Sequence, residues 1–183
     1  MKVVVSMLRG VNLGPHKRMK MDALRAIYES LGLLQPQTYV QSGNVVFKTR
    51  EQKLGPLAKR IEEAIERAFG FHADVILRTT SELKAVLAKN PFARRSGINP
   101  AALLITFLAE DPGEEARERL RQIKAEPEEL CIDGRELFIY FPNGMARPKL
   151  SIPLIERTLK TSGTGRNLNS VRKLLEMAEA MEA

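Results

Sequence analysis

The chain has 183 residues, 44% hydrophobic and 28% charged, with a net charge of +7 and one cysteine. That balance suits a globular protein with room for one large domain or two small lobes. It offers no apolar run near the ~20 residues that span a bilayer, and Cys131 alone excludes an internal disulfide.

A cytoplasmic location without membrane association is therefore expected. Val3-Val4-Val5 is too short for the core of a signal peptide, and Arg9 and Asn12 follow at once. The charge is uneven. Residues 1–90 carry the whole excess of +7, and residues 91–183 balance. Residues 2–20 hold five bases and no acid, and residues 147–173 hold seven bases and only Glu156. Such a field favours anionic partners, although a solubilising surface has the same composition.

Lys2 to Leu8 reads as a strand, and its consecutive valines predict burial on both faces. Met19 to Leu31 has the three-and-four apolar spacing of a helix, ended by Gly32. Gln37 to Lys48 reads as a hairpin turning at Ser42-Gly43. Leu57, Ile61, Ile65 and Phe69 predict a helix from Leu54 to Phe69, closed by Gly70, with a strand from Ala73 to Arg78 after it. This β-α-β-β-α-β order is the ferredoxin-like pattern. Ser81 is the expected N-cap of a short helix, Glu82 to Lys89, that Asn90-Pro91 stops. Residues 94–100 read as a linker or mobile loop.

The pattern then repeats. It gives a strand at Ala102 to Leu108, a helix at Pro112 to Lys124, a hairpin through Asp133-Gly134 and a helix at Ile152 to Lys160. Residues 161–169 look like a loop, and a last helix starts at Ser170. The expected fold is α+β. It has two ferredoxin-like lobes with antiparallel sheets, residues 1–79 and 102–183, joined by a connecting helix and linker over 80–101. The second lobe is read as incomplete and closed by C-terminal helices.

Leu8-Arg9-Gly10-Val11-Asn12-Leu13-Gly14, then Lys20-Met21, then Thr38 to Phe47 (TYVQSGNVVF) resembles domain-of-unknown-function family 1697. These are uncharacterised bacterial proteins that read much like LRGINVGG … KM … TYIQSGNVVF. The likeness continues at Arg78-Thr79, Asn90-Pro91-Phe92, Tyr140 to Gly144 and Thr164 to Lys173. It implies a two-lobed α+β protein and no established activity. Three positions depart from the family pattern. Pro15 replaces a usual glycine, Pro148 a common serine, and Leu168 a tryptophan that would offer a stacking surface.

Two constellations are candidate ligand sites. The first joins Arg9, Gly10, Asn12 and Gly14 to Ser42, Gly43 and Asn44. The first and third strands are neighbours in this fold, so these loops should meet at one edge of the sheet. Glycine lets a backbone approach an anion, and arginine offers a planar fork. The competing reading is that Asn12, Ser42 and Asn44 only satisfy turn backbones. The second centres on Lys149, Arg166, Asn167 and Asn169, before the last helix. The competing reading there is a solvated capping loop.

His16 and His72 have no ligand spacing to each other or to Cys131, so no metal site is expected. Cys131 reads as a small core residue. No catalytic residue, cofactor or oligomeric state is legible. The leading expectation is a protein that binds a small phosphorylated or nucleotide anion, with Arg9 and Arg166 pairing its charge. The alternatives are an enzyme acting on a phosphorylated substrate, a non-specific nucleic-acid binder, and a protein-interaction scaffold. An RNA-recognition module would need aromatics on an open sheet face, and aromatics are 5% of this chain with no tryptophan.

Overall fold

A computed structural model describes residues 1–183. The chain divides into two compact units, Met1–Lys84 with Lys173–Ala183, and Ala85–Arg172. Each contains a four-stranded antiparallel sheet with two helices between its strands.

The first unit runs β1 (Lys2–Leu8), α1 (Met21–Ser30), β2 (Leu34–Tyr39), β3 (Asn44–Thr49), α2 (Leu54–Phe69) and β4 (Val75–Thr79). Its strand order is β2-β3-β1-β4. The apolar stripes of α1 and α2 cover one face. Leu24, Ile27, Leu57, Ile61 and Ile65 pack on Val4, Leu8, Val45, Phe47, Val75 and Leu77. Tyr28 lies in this core, 5.2 Å edge-on to Phe47. Its hydroxyl is 2.6 Å from the buried Ser6 hydroxyl on β1, which gives both a partner. Burial pushes the tyrosine pKa well up.

Glycine ends both helices as expected. After α1, Gly32 has a φ of +75°. Its N–H donates to Glu29 and that of Leu33 to Tyr28, which is a Schellman closure. After α2, Gly70 adopts the left-handed conformation and donates to Glu66.

Helix α3 (Thr80–Ala88) follows β4 directly. Its cap is Thr79, not the expected Ser81. Glu82 N–H donates to Thr79 Oγ1 at 3.2 Å, and the Glu82 carboxylate accepts from Thr79 N–H at 2.7 Å. This is a capping box set two residues earlier than expected, at the last residue of β4.

The second unit repeats the order with β5 (Leu103–Leu108), α4 (Glu114–Arg121), β6 (Glu129–Asp133), β7 (Glu136–Tyr140), α5 (Ile152–Leu159) and β8 (Gly163–Asn167). Its strand order, β6-β7-β5-β8, matches the first. Here the sequence reading is corrected. The expected loop over 161–169 contains β8, which pairs antiparallel with β5 from Leu104↔Asn167 to Leu108↔Gly163 and completes the lobe. The last helix, α6 (Leu168–Glu182), therefore starts earlier than Ser170. Within residues 94–100, Arg95 Nη1 donates to both Glu129 carboxylate oxygens at 2.6 and 2.7 Å, and its guanidinium lies over the Tyr140 ring.

In each unit the sheet is buried on its second face as well, through Val3, Val5, Met7 and Val46 in one and Leu103, Ile105, Phe107 and Phe138 in the other. That face also carries an arginine at the same register. Arg78 pairs with Val5, and Arg166 with Ile105. Both are buried, at 1% and 7% exposure.

Candidate functional site

The first constellation assembles as the topology requires. Leu8 N–H donates to Gly43 carbonyl at 2.9 Å, so the end of β1 is bonded to the β2–β3 turn. Asn12 ties the two loops further. Its Oδ1 accepts from Met19 N–H at 2.8 Å, and its Nδ2 donates to Met19 carbonyl at 3.1 Å and to Gln41 carbonyl at 2.6 Å. Gly43 has a φ of +75°, and a Cβ there would lie 2.8 Å from Leu8 Cβ and Val11 Cγ2. No other residue fits that turn without displacing the core beneath it.

These bonds settle the roles of the two asparagines in the fold. Asn12 is committed to backbone groups on both loops. Asn44 is fully buried and donates to Tyr39 carbonyl and Ser42 Oγ. Both satisfy turn backbones, the competing reading of the sequence. What faces solvent is the segment they hold. Gly14, Pro15, His16, Lys17, Arg18 and Lys20 are exposed, and Leu13 is 74% exposed. The space beside Gly10 and Gly14 is open. Ser42 is half-buried at the neighbouring turn, where Gln41 is exposed.

Backbone strain is concentrated here too. Five non-glycine residues have positive φ, and three of them are Asn12, Lys17 and Val40. A β-branched residue such as Val40 adopts this conformation at a cost of about 1–3 kcal/mol.

Arg9 is not isolated from acids, as its sequence neighbours suggest. Asp74, just before β4, lies 3.9 Å from it, and Arg9 N–H donates to the Asp74 carbonyl. Asp74 also meets His72 Nε2 at 2.9 Å. Lys17 Nζ donates to the His72 carbonyl at 3.0 Å. The Asp74 hydrogen bond, aided by Glu62 and Glu66, raises the His72 pKa above its ordinary value. Sequence reasoning missed His72 and Asp74 because strand pairing alone brings residue 74 to residue 9.

The second constellation does not assemble. Leu150, next to Lys149, belongs to the core under α4 and α5. The Lys149 and Leu150 N–H groups donate to buried Glu128. Arg166 lies on the opposite face of that sheet, where Nη1 donates to Thr164 Oγ1 at 2.7 Å and to the Gly165 carbonyl. Burial pulls its guanidinium pKa down to about 10, still high enough to keep the charge at neutral pH. Asn167 Oδ1 accepts from Ser170 N–H at 2.9 Å and caps α6. Asn169 is exposed on the first turn of that helix, and Leu168 is buried.

A model of family DUF1697, described as proteins of unknown function, matches residues 1–138. The chain belongs to that family. Among solved structures, the conserved bacterial protein SP0830 from Streptococcus pneumoniae is similar in fold. Its TM-score is 0.70 at 20% identity, over 97% of this chain and 98% of that one. No curated protein matches the sequence.

The family's first motif thus coincides with the loop pair just described. Sizeable surface depressions lie elsewhere on the molecule. One of about 520 Å³ lies against Leu31–Leu34 and Thr49–Glu51, and one of about 530 Å³ lies between Gln35–Gln37 and the end of α6. No group of His, Cys, Asp and Glu side chains is arranged to hold a metal ion. Cys131 is half-buried and its thiol pKa is raised by burial, opposite to what a nucleophile needs. No helix is long and apolar enough to cross a membrane.

Proposed function

We propose that the loop pair of the first lobe, residues 9–20 with 40–43, binds a small phosphorylated ligand. The observation that carries this reading is the Asn12 bracket. It fixes a segment with no acid of its own, in which Lys17, Arg18 and Lys20 are exposed and Arg9 is half-buried beside Asp74, around two open glycines. A preformed cationic loop loses little conformational entropy on binding, and the Arg9 fork suits a phosphate geometrically. Asn12 and Gly43 shape the loop, while Arg9, Arg18, Ser42 and the Gly10 and Gly14 backbones are the groups offered to the ligand.

Calorimetric titration with inorganic phosphate, pyrophosphate and ATP tests this. Binding of at least one is expected, weakened about tenfold in Arg9→Ala, in line with the ~1.5–3 kcal/mol of a charged hydrogen bond. The Arg9→Ala protein should unfold at nearly the wild-type temperature. Equal affinity in wild type and variant removes Arg9 from the site.

One observation favours an enzyme over a binder. The His72–Asp74 pair beside Arg9 orients an imidazole for proton transfer. If the bound compound is turned over, His72→Gln should abolish turnover and retain binding.

A further inference from the structure

Met145, Ile152 and Leu154 are 40%, 37% and 39% exposed. The other exposed large apolar residues, Met1, Leu13, Leu34 and Val40, are spread along the first lobe. These three instead fall close together, on the approach to α5 and in its first turn. The same segment carries Arg147 and Lys149, and α5 and its cap add Arg157 and Lys160. All four are exposed, and none forms an ion pair. The arginines of α4 behave differently, since Arg117, Arg119 and Arg121 lie 2.5–2.9 Å from carboxylates. From residue 137 to residue 155 the chain has no acid, Glu156 lies within α5, and the buried Glu128 carboxylate is taken up by the Lys149 and Leu150 N–H groups.

A cleft lies under α5. It is partly open, has a volume of about 40 Å³, and is lined mainly by Leu108, Leu137, Ile139, Ile152, Ile155 and Leu159. Thr106, Glu156 and Thr161 also line it, and its predominantly aliphatic wall offers dispersion contact to the tip of an aliphatic side chain. Its origin is in the strand the sequence hid. The helix-facing positions of β8 include Gly163 and Gly165, which place no side chain beneath α5.

We propose that this face docks an acidic peptide segment carrying one aliphatic side chain. The aliphatic group enters the cleft beside Ile152, and the carboxylates face Arg147, Lys149, Arg157 and Lys160. Three features separate this occupant from others. A nucleic acid would be held here through its phosphates alone and would leave the aliphatic residues without a partner, since base stacking needs aromatic side chains. A bilayer would need the apolar side of α5, whose Ile155 and Leu159 are already in the core. A second copy packed about a two-fold axis would set the four bases against themselves.

The test is a titration, followed by methyl NMR, with a short peptide of glutamates around a central leucine. Controls are its leucine-to-serine counterpart, an oligonucleotide and phosphatidylglycerol vesicles. The leucine peptide should shift the methyls of Ile152, Leu154 and Ile155. The serine peptide should bind about tenfold more weakly, as expected for losing one buried leucine. Leu154→Asp and Lys149→Glu, both at exposed positions, should each abolish the shifts without lowering Tm. Equal binding of the two peptides, shifts confined to other residues, or no binding at millimolar peptide would overturn the proposal. So would binding of only the vesicles or only the oligonucleotide. The site is independent of the loop pair, so Arg9→Ala should leave this binding unchanged.

Discussion

Asn12 and Arg166 both look like ligand residues in the sequence, and the structure gives both internal work. Asn12→Ala leaves the Met19 N–H and two carbonyls without their partner. A loss of about 0.5–1.5 kcal/mol is expected in urea unfolding, the usual net worth of a hydrogen bond, since these bonds are part-buried or exposed. Arg166→Ala should likewise lower stability, because it empties a buried position and removes the guanidinium bonds to Thr164 Oγ1 and the Gly165 carbonyl, and phosphate binding should be unchanged. Arg9→Ala should show the reverse pattern. A substitution that moves both readouts together would contradict this division of roles. His72 gives a further check. Its raised pKa means that the native state holds the proton more tightly than the unfolded chain. The stabilisation is therefore full below about pH 6.5, the ordinary histidine value, and fades as pH rises through the folded pKa. The side chain is 52% exposed, so the effect on stability is small. NMR titration should place the imidazole above its ordinary value and return it towards that value in Asp74→Asn.

Helix ends were the most legible elements, and strand β8 was the least. Gly32 and Gly70 follow clear apolar periods, and each closes its helix through bonds that positive φ permits. The β8 sequence Gly-Thr-Gly-Arg-Asn has neither apolar alternation nor β-branched runs beyond Thr164. Its strand character comes from pairing with β5. Leu104 sits 3.0 Å from where a Cβ on Gly165 would be, and Leu108 equally close to one on Gly163. Tertiary packing thus replaces local propensity, which single-sequence reading does not register. The shift of the α3 cap to Thr79 has a related cause, because β4 runs straight into the helix and takes the cap position with it. Thr79→Ala should cost about 1 kcal/mol by thermal or chemical unfolding, and Ser81→Ala much less. Gly43→Ala should cost more than either, since it adds a Cβ clash to a left-handed backbone.

The whole molecule repeats one lobe twice, and the repeat decides how its charge can be used. An RNA-recognition lobe of this topology leaves the helix-free sheet face open and places aromatics on it. Here that face is buried in both lobes, with Val5, Met7 and Val46 in one and Ile105, Phe107 and Phe138 in the other. Phe107 and Phe138, which a single-lobe reading would offer to bases, are therefore core residues. What remains for nucleic acid is the net charge of +7, carried by the basic stretches at 2–20 and 147–173. Such contacts are made to phosphates, release counterions and read no sequence. Fluorescence anisotropy with single-stranded RNA and DNA of several compositions should show weak binding at ~50 mM salt and none by ~200 mM, without base preference. Binding that persists at the higher salt, or that favours one sequence, would require a stacking or base-reading surface. Since neither sheet can supply one, that result would point to the exposed loops at 13–18 and 145–154 as the nucleic-acid contacts.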